Sequence, residues 1–240
     1  MDLRIYSDYK ELSKEAAKLI MNVVNANPTG LLCLAAGHTP IGIYKCLVDF
    51  AREGKVDFSR CKFVSLDEWV GLGMQDEGSC IKFMHDNLFN PLGILESNIA
   101  FFNGQASDPE LECKRIDEFV LKNGPIDVVL LGIGINGHIG FNEPGSPFDA
   151  YSHVVVLDEI TKEVGKKYFT VQRQLEKGLT LGIKHFLEAR NVILVASGAG
   201  KAEIIKKTVE SPPDTSLPAT ALKLHNNFYL LLDKEAASLL

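Results

Sequence analysis

Ile126-Asp127-Val128-Val129-Leu130-Leu131 runs straight into Gly132-Ile133-Gly134-Ile135-Asn136-Gly137-His138-Ile139-Gly140-Phe141-Asn142-Glu143-Pro144. The first six residues read as a short strand buried on both faces. The thirteen that follow hold four glycines, one histidine, one carboxylate and a closing proline. Glycines directly after a buried strand permit a tight turn and let backbone approach a ligand closely. Open α/β sheets build their sites from loops at the carboxyl ends of the strands. His138 is therefore a candidate acid or base, since an imidazole exchanges a proton near neutral pH. A glycine-rich turn carrying a surface histidine shows the same pattern, and spacing alone does not separate the two.

Two more apolar runs end in the same manner. Leu31–Ala35 leads into Ala36-Gly37-His38-Thr39-Pro40, where Thr39 suits a helix cap and Pro40 the first helical turn. Cys61–Leu66 ends in Asp67-Glu68-Trp69 and a loop rich in Gly and Asp. If the three strands are parallel, their three loops share one edge of the sheet. Free N–H groups at a strand–turn–helix junction bind anions, which makes Gly37–Thr39 a candidate phosphate turn. Asp67 offers a carboxylate able to move a proton, or equally a cap or a solvated acid; Glu68 and Trp69 read equally as salt-bridge and packing residues. Lys201 follows Gly198-Ala199-Gly200 at a helix start. A cation there opposes the macrodipole unless an anion is near, so Lys201 is a phosphate-contact candidate, with a solvated lysine as the plain alternative.

The remaining chain keeps the alternation. Leu3–Tyr6 reads as a strand, and Ser7 or Asp8 caps a helix with apolar positions at Leu12, Ala16, Leu19, Ile20 and Val23. Helices are expected from Pro40 to about Arg52, from Ser79 through Asn90 and stopping before Pro91, and over Pro109–Leu121, Thr161–Phe169, Leu179–Ala189 and Gly200–Val209. Further strands are expected at Ser152–Leu157, Asn191–Ala196 and Asn227–Leu232. Strands alternating with helices predict an α/β fold: an open, mostly parallel, Rossmann-like sheet with helices on both faces, one domain over residues 1–240. The Gly145–Lys167 segment is the natural lid candidate, since it follows the central loop and contains few strong helix signals.

Composition narrows the function classes. The chain is 46% hydrophobic and 23% charged, enough for a full core and unlike a disordered chain. Net charge is −6 and no Lys/Arg block occurs, which argues against a nucleic-acid partner. Five cysteines, none in a CxxC pair, fit a reducing compartment and no zinc site. His85, His153, His185 and His225 show no metal spacing; His85 and His185 lie in helical runs as surface or packing residues. No apolar run is long enough for a membrane span and the N-terminus lacks a signal-peptide pattern, so a cytoplasmic protein is expected.

Taken together, these residues resemble the glucosamine-6-phosphate deaminase/isomerase family from about Leu31 to Leu232. Gly37-His38-Thr39-Pro40 is similar to its Gly-Ser-Thr-Pro phosphate turn, and Leu66-Asp67-Glu68-Trp69 to its Leu-Asp-Glu-Tyr segment. Gly134–Pro144 is similar to its signature; Thr180-Leu181-Gly182-Ile183 and Gly198-Ala199-Gly200-Lys201-Ala202 match as well. The resemblance implies a small sugar-phosphate substrate with its phosphate on Gly37, His38, Thr39, Lys167 and Lys201. It implies that His138 transfers the proton that opens the ring, that Glu143 orients it, and that Asp67 carries a proton from C2 to C1 before ammonia leaves. No metal or other cofactor is implied. Asn136 stands where some members have aspartate, and Lys167 where many have a phosphate-binding arginine, which keeps the charge but loses the bidentate fork.

His153 and Val155 replace the arginine and lysine of allosteric members, and the C-terminal extension of those members has no counterpart. A monomer or small homo-oligomer is therefore expected rather than an allosteric hexamer. Trp69, Gly78-Ser79-Cys80 and Leu224-His225-Asn226-Asn227-Phe228 are most similar to the galactosamine-6-phosphate branch. This predicts galactosamine 6-phosphate converted to tagatose 6-phosphate and ammonia; glucosamine 6-phosphate giving fructose 6-phosphate is the alternative. Two further readings are a 6-phosphogluconolactonase, disfavoured because Phe141-Asn142-Glu143-Pro144 follows the deaminase form, and a non-catalytic sugar-phosphate sensor, disfavoured because no DNA-reading helix precedes the first strand.

Overall fold

A computed structural model describes residues 1–169 and 175–240. Seven strands form one sheet: Asp2–Tyr6 (β1), Leu31–Leu34 (β2), Lys62–Val64 (β3), Ile99–Ala100 (β5), Val128–Leu131 (β6), Val192–Ala196 (β9) and Phe228–Asp233 (β10). Their order is β1-β10-β9-β6-β2-β3-β5, and every pairing is parallel. The chain moves outward from β2 to β3 and β5, then returns to place β6 on the other side of β2. The strand order thus reverses between β2 and β6, which is where such sheets open a crevice at their carboxyl ends.

Successive strand residues point to opposite faces, and both faces are apolar. Leu32, Leu34, Val128, Leu130, Ile193 and Val195 bury against Tyr9–Ala26 (α1), Ile41–Arg52 (α2) and Cys80–Met84 (α3). Leu31, Cys33, Val129, Leu131, Val192 and Leu194 bury against Pro109–Asn123 (α4), Ile183–Glu188 (α6) and Ala202–Glu210 (α7). The expected α/β architecture with helices on both faces is the one found. Asp8 caps α1 through the N–H of Glu11, and Gly54, at φ 70°, follows α2.

A second sheet was not anticipated. Asp67–Trp69 (β4), Lys177–Thr180 (β8) and His153–Val156 (β7) pair antiparallel in the order β4-β8-β7. Asp67 therefore opens a strand rather than a loop. The helix expected over Leu179–Ala189 is instead the end of β8 followed by α6. A short apolar run fits either element by periodicity, and Gly182 decides for a bend, since a Cβ there would stand 2.1 Å from the Ala150 carbonyl oxygen. Between β7 and β8 lies Glu159–Gly165 (α5), capped by Asp158, then a 3-10 turn at Lys166–Tyr168. Trp69, Phe141, Leu157 and Leu175 form a small core beneath this layer, with the Trp69 and Phe141 ring centroids 4.5 Å apart.

Other expectations need correction. Thr39 does not cap α2: Pro40 stands at the cap position and makes no side-chain bond. The Ser79-capped helix does not stop before Pro91, but continues through a π turn at His85–Phe89 into Asn90–Leu92. β5, only two residues long, was too short to carry a period. His85 and His185 are both buried, so each is a packing residue. The five cysteines are free. No helix among the described residues is long and apolar enough to cross a membrane.

Candidate active site

A cleft of about 510 Å³ opens at the β2/β6 reversal. Gly37, His38, Thr39, Asp67, His138, Lys167 and Lys201 all line it. Asn136 and Glu143 do not; they stand behind His138 and contact it from there. The three loops read as sharing one sheet edge thus meet, and Lys167 and Lys201 come to the same cavity.

At one end the chain presents backbone and cations. Gly37 turns at φ 114°, a left-handed value that side-chain-bearing residues rarely adopt. Tyr9 of α1 clamps the turn: its hydroxyl donates to the Thr39 carbonyl at 2.7 Å and accepts from the Gly42 N–H at 2.8 Å. Tyr44 of α2 donates to the Ala35 carbonyl. Lys201 reaches in from a 3-10 turn ahead of α7 and donates to the Ile133 carbonyl at 2.5 Å. Burial, and then the charge of Lys167, bring the Lys201 ammonium down to about 8. Two cations held together in a partly buried cleft favour an anion between them. The carboxylate of Asp233 accepts from Ser197 and from the Gly198 N–H, tying down the turn that carries Lys201.

At the other end lie buried acids. Burial raises the Asp67 carboxyl to about 6, against the opposing influence of the Cys80 thiol and His138. Its neighbour Glu68 is wholly buried and accepts from the N–H groups of Trp69, Cys80 and Ile81 at 2.9, 3.0 and 2.9 Å. Neither salt bridge nor simple packing describes Glu68: it straps the start of α3 to the strand that bears Asp67.

His138 lies flat on Gly134, where a Cβ would come within 2.5 Å of the ring. Its Nδ1 is 3.1 Å from the Thr161 hydroxyl and 3.4 Å from Glu143 Oε2. Asn136 touches both members of the pair, donating to Glu143 Oε2 at 2.9 Å and accepting from the His138 N–H at 3.2 Å. Glu143 Oε1 accepts from the Asp158 N–H. Burial pushes the Glu143 carboxyl up, but hydrogen bonds and charge from His138, with hydrogen bonds from Thr161 and Asn136, outweigh it and hold Glu143 below its usual range.

Four contributors were not singled out for the site from sequence: Tyr9, Thr161, Asp233 and Glu68's role as a strap. Tyr9 and Asp233 act from elements far away in the chain, and Thr161 read only as the start of a helix. Among the described residues no group of three or more His, Cys, Asp or Glu gathers as a metal set.

A family model described as glucosamine-6-phosphate isomerases/6-phosphogluconolactonase matches residues 7–230. The chain belongs to this family. It is similar to the glucosamine-6-phosphate deaminase of Clostridium novyi (strain NT), 42% identical over 239 residues and 99% of both chains. It is also similar to that of Thermoanaerobacter sp. (strain X514), at 41% identity over all of this chain and 95% of the relative. A solved structure described as a monomeric glucosamine-6-phosphate deaminase of the NagB superfamily superposes with TM-score 0.97, at 38% identity and full coverage of both chains. The 6-phosphogluconolactonase of Trypanosoma brucei superposes at TM-score 0.75 and 23% identity, covering 99% of this chain and 97% of that one, a likeness of fold alone.

Proposed function

We propose that the chain deaminates and isomerises an amino-sugar 6-phosphate, with glucosamine 6-phosphate as its substrate. The observation that carries this reading is the cleft itself. A buried carboxylate, Asp67, and an imidazole, His138, face one cavity whose far end holds Gly37–Thr39 with Lys167 and Lys201.

The phosphate sits on the Gly37, His38 and Thr39 turn between the two lysines. His138 takes the proton of the C1 hydroxyl and hands it to the ring oxygen as the ring opens to the aldehyde, with Glu143 stabilising the transient imidazolium and Asn136 holding Glu143. Asp67 takes the proton from C2 and returns it to C1 while a proton passes from the amine nitrogen to O1, which converts the amino-aldose to a 2-imino ketose. Water adds at C2, the C–N bond breaks and ammonia leaves with the ketose 6-phosphate. A base serving two adjacent carbons must be ionised at rest and re-formed each cycle, and a carboxyl raised to about 6 meets both needs near neutral pH.

The names of relatives at 38–42% identity support the gluco sugar over the galacto sugar expected from sequence. Galactosamine 6-phosphate stays as the second reading because Trp69, Ser79 and Cys80 line the cleft. The Leu224–Phe228 part of that expectation has lost its force. His225 Nε2 donates to the Ala189 carbonyl at 2.7 Å, at the far edge of the sheet, and Phe228 pairs with Val192 at the strand starts. A monomer is in keeping with the structural relative described as monomeric. Ammonia release from the two amino-sugar phosphates, measured side by side without added metal, tests the reading. Faster release from glucosamine 6-phosphate is expected. Faster release from the galacto sugar transfers the assignment, and release from neither leaves a lactonase or a sensor.

A further inference from the structure

We infer that Thr161 is a positioning residue that fixes the imidazole of His138, joining α5 to the acid of the reaction. This rests on the ring-opening role given to His138 above. Glu143 stands 3.4 Å from His138 Nδ1, whereas the Thr161 hydroxyl stands 3.1 Å from the same nitrogen. Thr161 also helps to hold the Glu143 carboxyl below its usual range. A hydroxyl can accept from the imidazole N–H and still donate to a neighbouring carboxylate. Thr161 is 4% exposed, so water does not readily take its place. With Nδ1 engaged on this side and the ring lying on Gly134, Nε2 is the nitrogen left to work in the cleft.

The placement has a second consequence. Thr161 sits on α5, and the 3-10 turn continuing from that helix carries Lys167 into the phosphate end. Gly165, between them, packs against the Trp69 ring, which a Cβ would meet at 3.0 Å. One short element therefore contacts the acid pair, the aromatic floor and the phosphate site.

Thr161→Val keeps the shape and removes the hydroxyl; Thr161→Ser keeps the hydroxyl. Two measurements separate positioning from packing: kcat and KM for glucosamine 6-phosphate, and the imidazole nitrogen signals of 15N-labelled resting enzyme. The valine variant should lose about ten- to a hundredfold in kcat with KM within about twofold, the range for one hydrogen bond to a charged group. Its His138 signals should change from a single Nδ1–H tautomer to a mixture. Serine should restore both to within about threefold of the starting enzyme. A valine variant with unchanged kcat overturns the inference, and so does a loss of turnover with unaltered imidazole signals, which marks a packing role. The nitrogen signals need no substrate, so they judge Thr161 even if neither amino-sugar phosphate is turned over.

Discussion

The two ends of the cleft are built by opposite means. The phosphate end is made of three turns: those at the ends of β2 and β9, the second of which carries Lys201, and the 3-10 turn after α5 that carries Lys167. Its parts are local: a glycine at positive φ, a lysine just ahead of a helix and a lysine just after one. The acid–base end is made of pairings across the chain. Asp67 is positioned by its register with Thr180, Glu68 by the N–H groups of α3, and His138 by Thr161 and Glu143. A ready-made anion site needs little more than chain direction. A buried acid needs partners that hold it where its charge is costly. Damage to the acid–base end should therefore strike kcat, and damage to the phosphate end KM.

The largest effect is expected at Asp67. Asp67→Asn should lower kcat by about a thousandfold while changing KM by less than about threefold. Steady-state ammonia release checks this, and a variant retaining a tenth of the activity breaks the assignment. The base must be ionised, so activity in the unaltered enzyme should rise with pH and reach half its maximum at about 6. Stability carries the opposite sign. The folded carboxyl titrates above its ordinary 3.8, so the group's contribution is intact below about pH 4 and is lost as pH rises through about 6. Asparagine escapes that loss, and the variant should melt no lower than the parent at pH 7.5, with a gain of up to about 1–3 kcal/mol. An inactive but more stable protein is the signature of a base held at the expense of the fold.

The same contrast explains what the sequence revealed. The parallel sheet and its three convergent loops were legible because each strand is a short apolar run and each loop carries Gly, Pro or a lone acid immediately after it. Gly37, His138 and Lys201 were legible for that reason. The second sheet was not, because β4 and β8 are short and acquire their meaning only from each other. Thr161 and Glu68 were hidden likewise, since the atoms they bind come from distant stretches. Thr39 was misread as a cap because the residue types at a capping site and an anion turn are the same. The galacto expectation leaned partly on Leu224–Phe228, and only the fold places that stretch at the edge away from the cleft.

At the phosphate end, Lys201→Met should raise KM by about ten- to a hundredfold with kcat within about threefold, since one charged contact is lost in a partly buried cleft. Competition by inorganic phosphate should weaken in parallel. A fall in kcat with KM unchanged would sharpen the comparison in the other direction, by making Lys201 part of the chemistry through its bond to Ile133, which lies in the His138 loop.

The smallest effect is expected at Tyr9. Tyr9→Phe removes one hydroxyl and leaves the ring in place. The Thr39 carbonyl loses its donor at 2.7 Å and the Gly42 N–H its acceptor at 2.8 Å. Both groups lie near the surface, so water can replace the hydroxyl, and the net cost is about 1 kcal/mol. Because the clamp holds the turn and touches no reacting atom, that cost should appear as a KM rise of about three- to fivefold with kcat unchanged. The turn's remaining constraint is Gly37 at φ 114°, which Tyr9 does not set. Glucosamine 6-phosphate titrations of Tyr9→Phe and of Tyr9→Phe combined with Lys201→Met separate two possibilities. If the clamp merely orders the turn, the two KM effects multiply, because the turn that Tyr9 holds follows β2 whereas Lys201 follows β9. If they multiply to less than the product, the turn and the lysine act as one unit, and the phosphate end is as interdependent as the acid–base end.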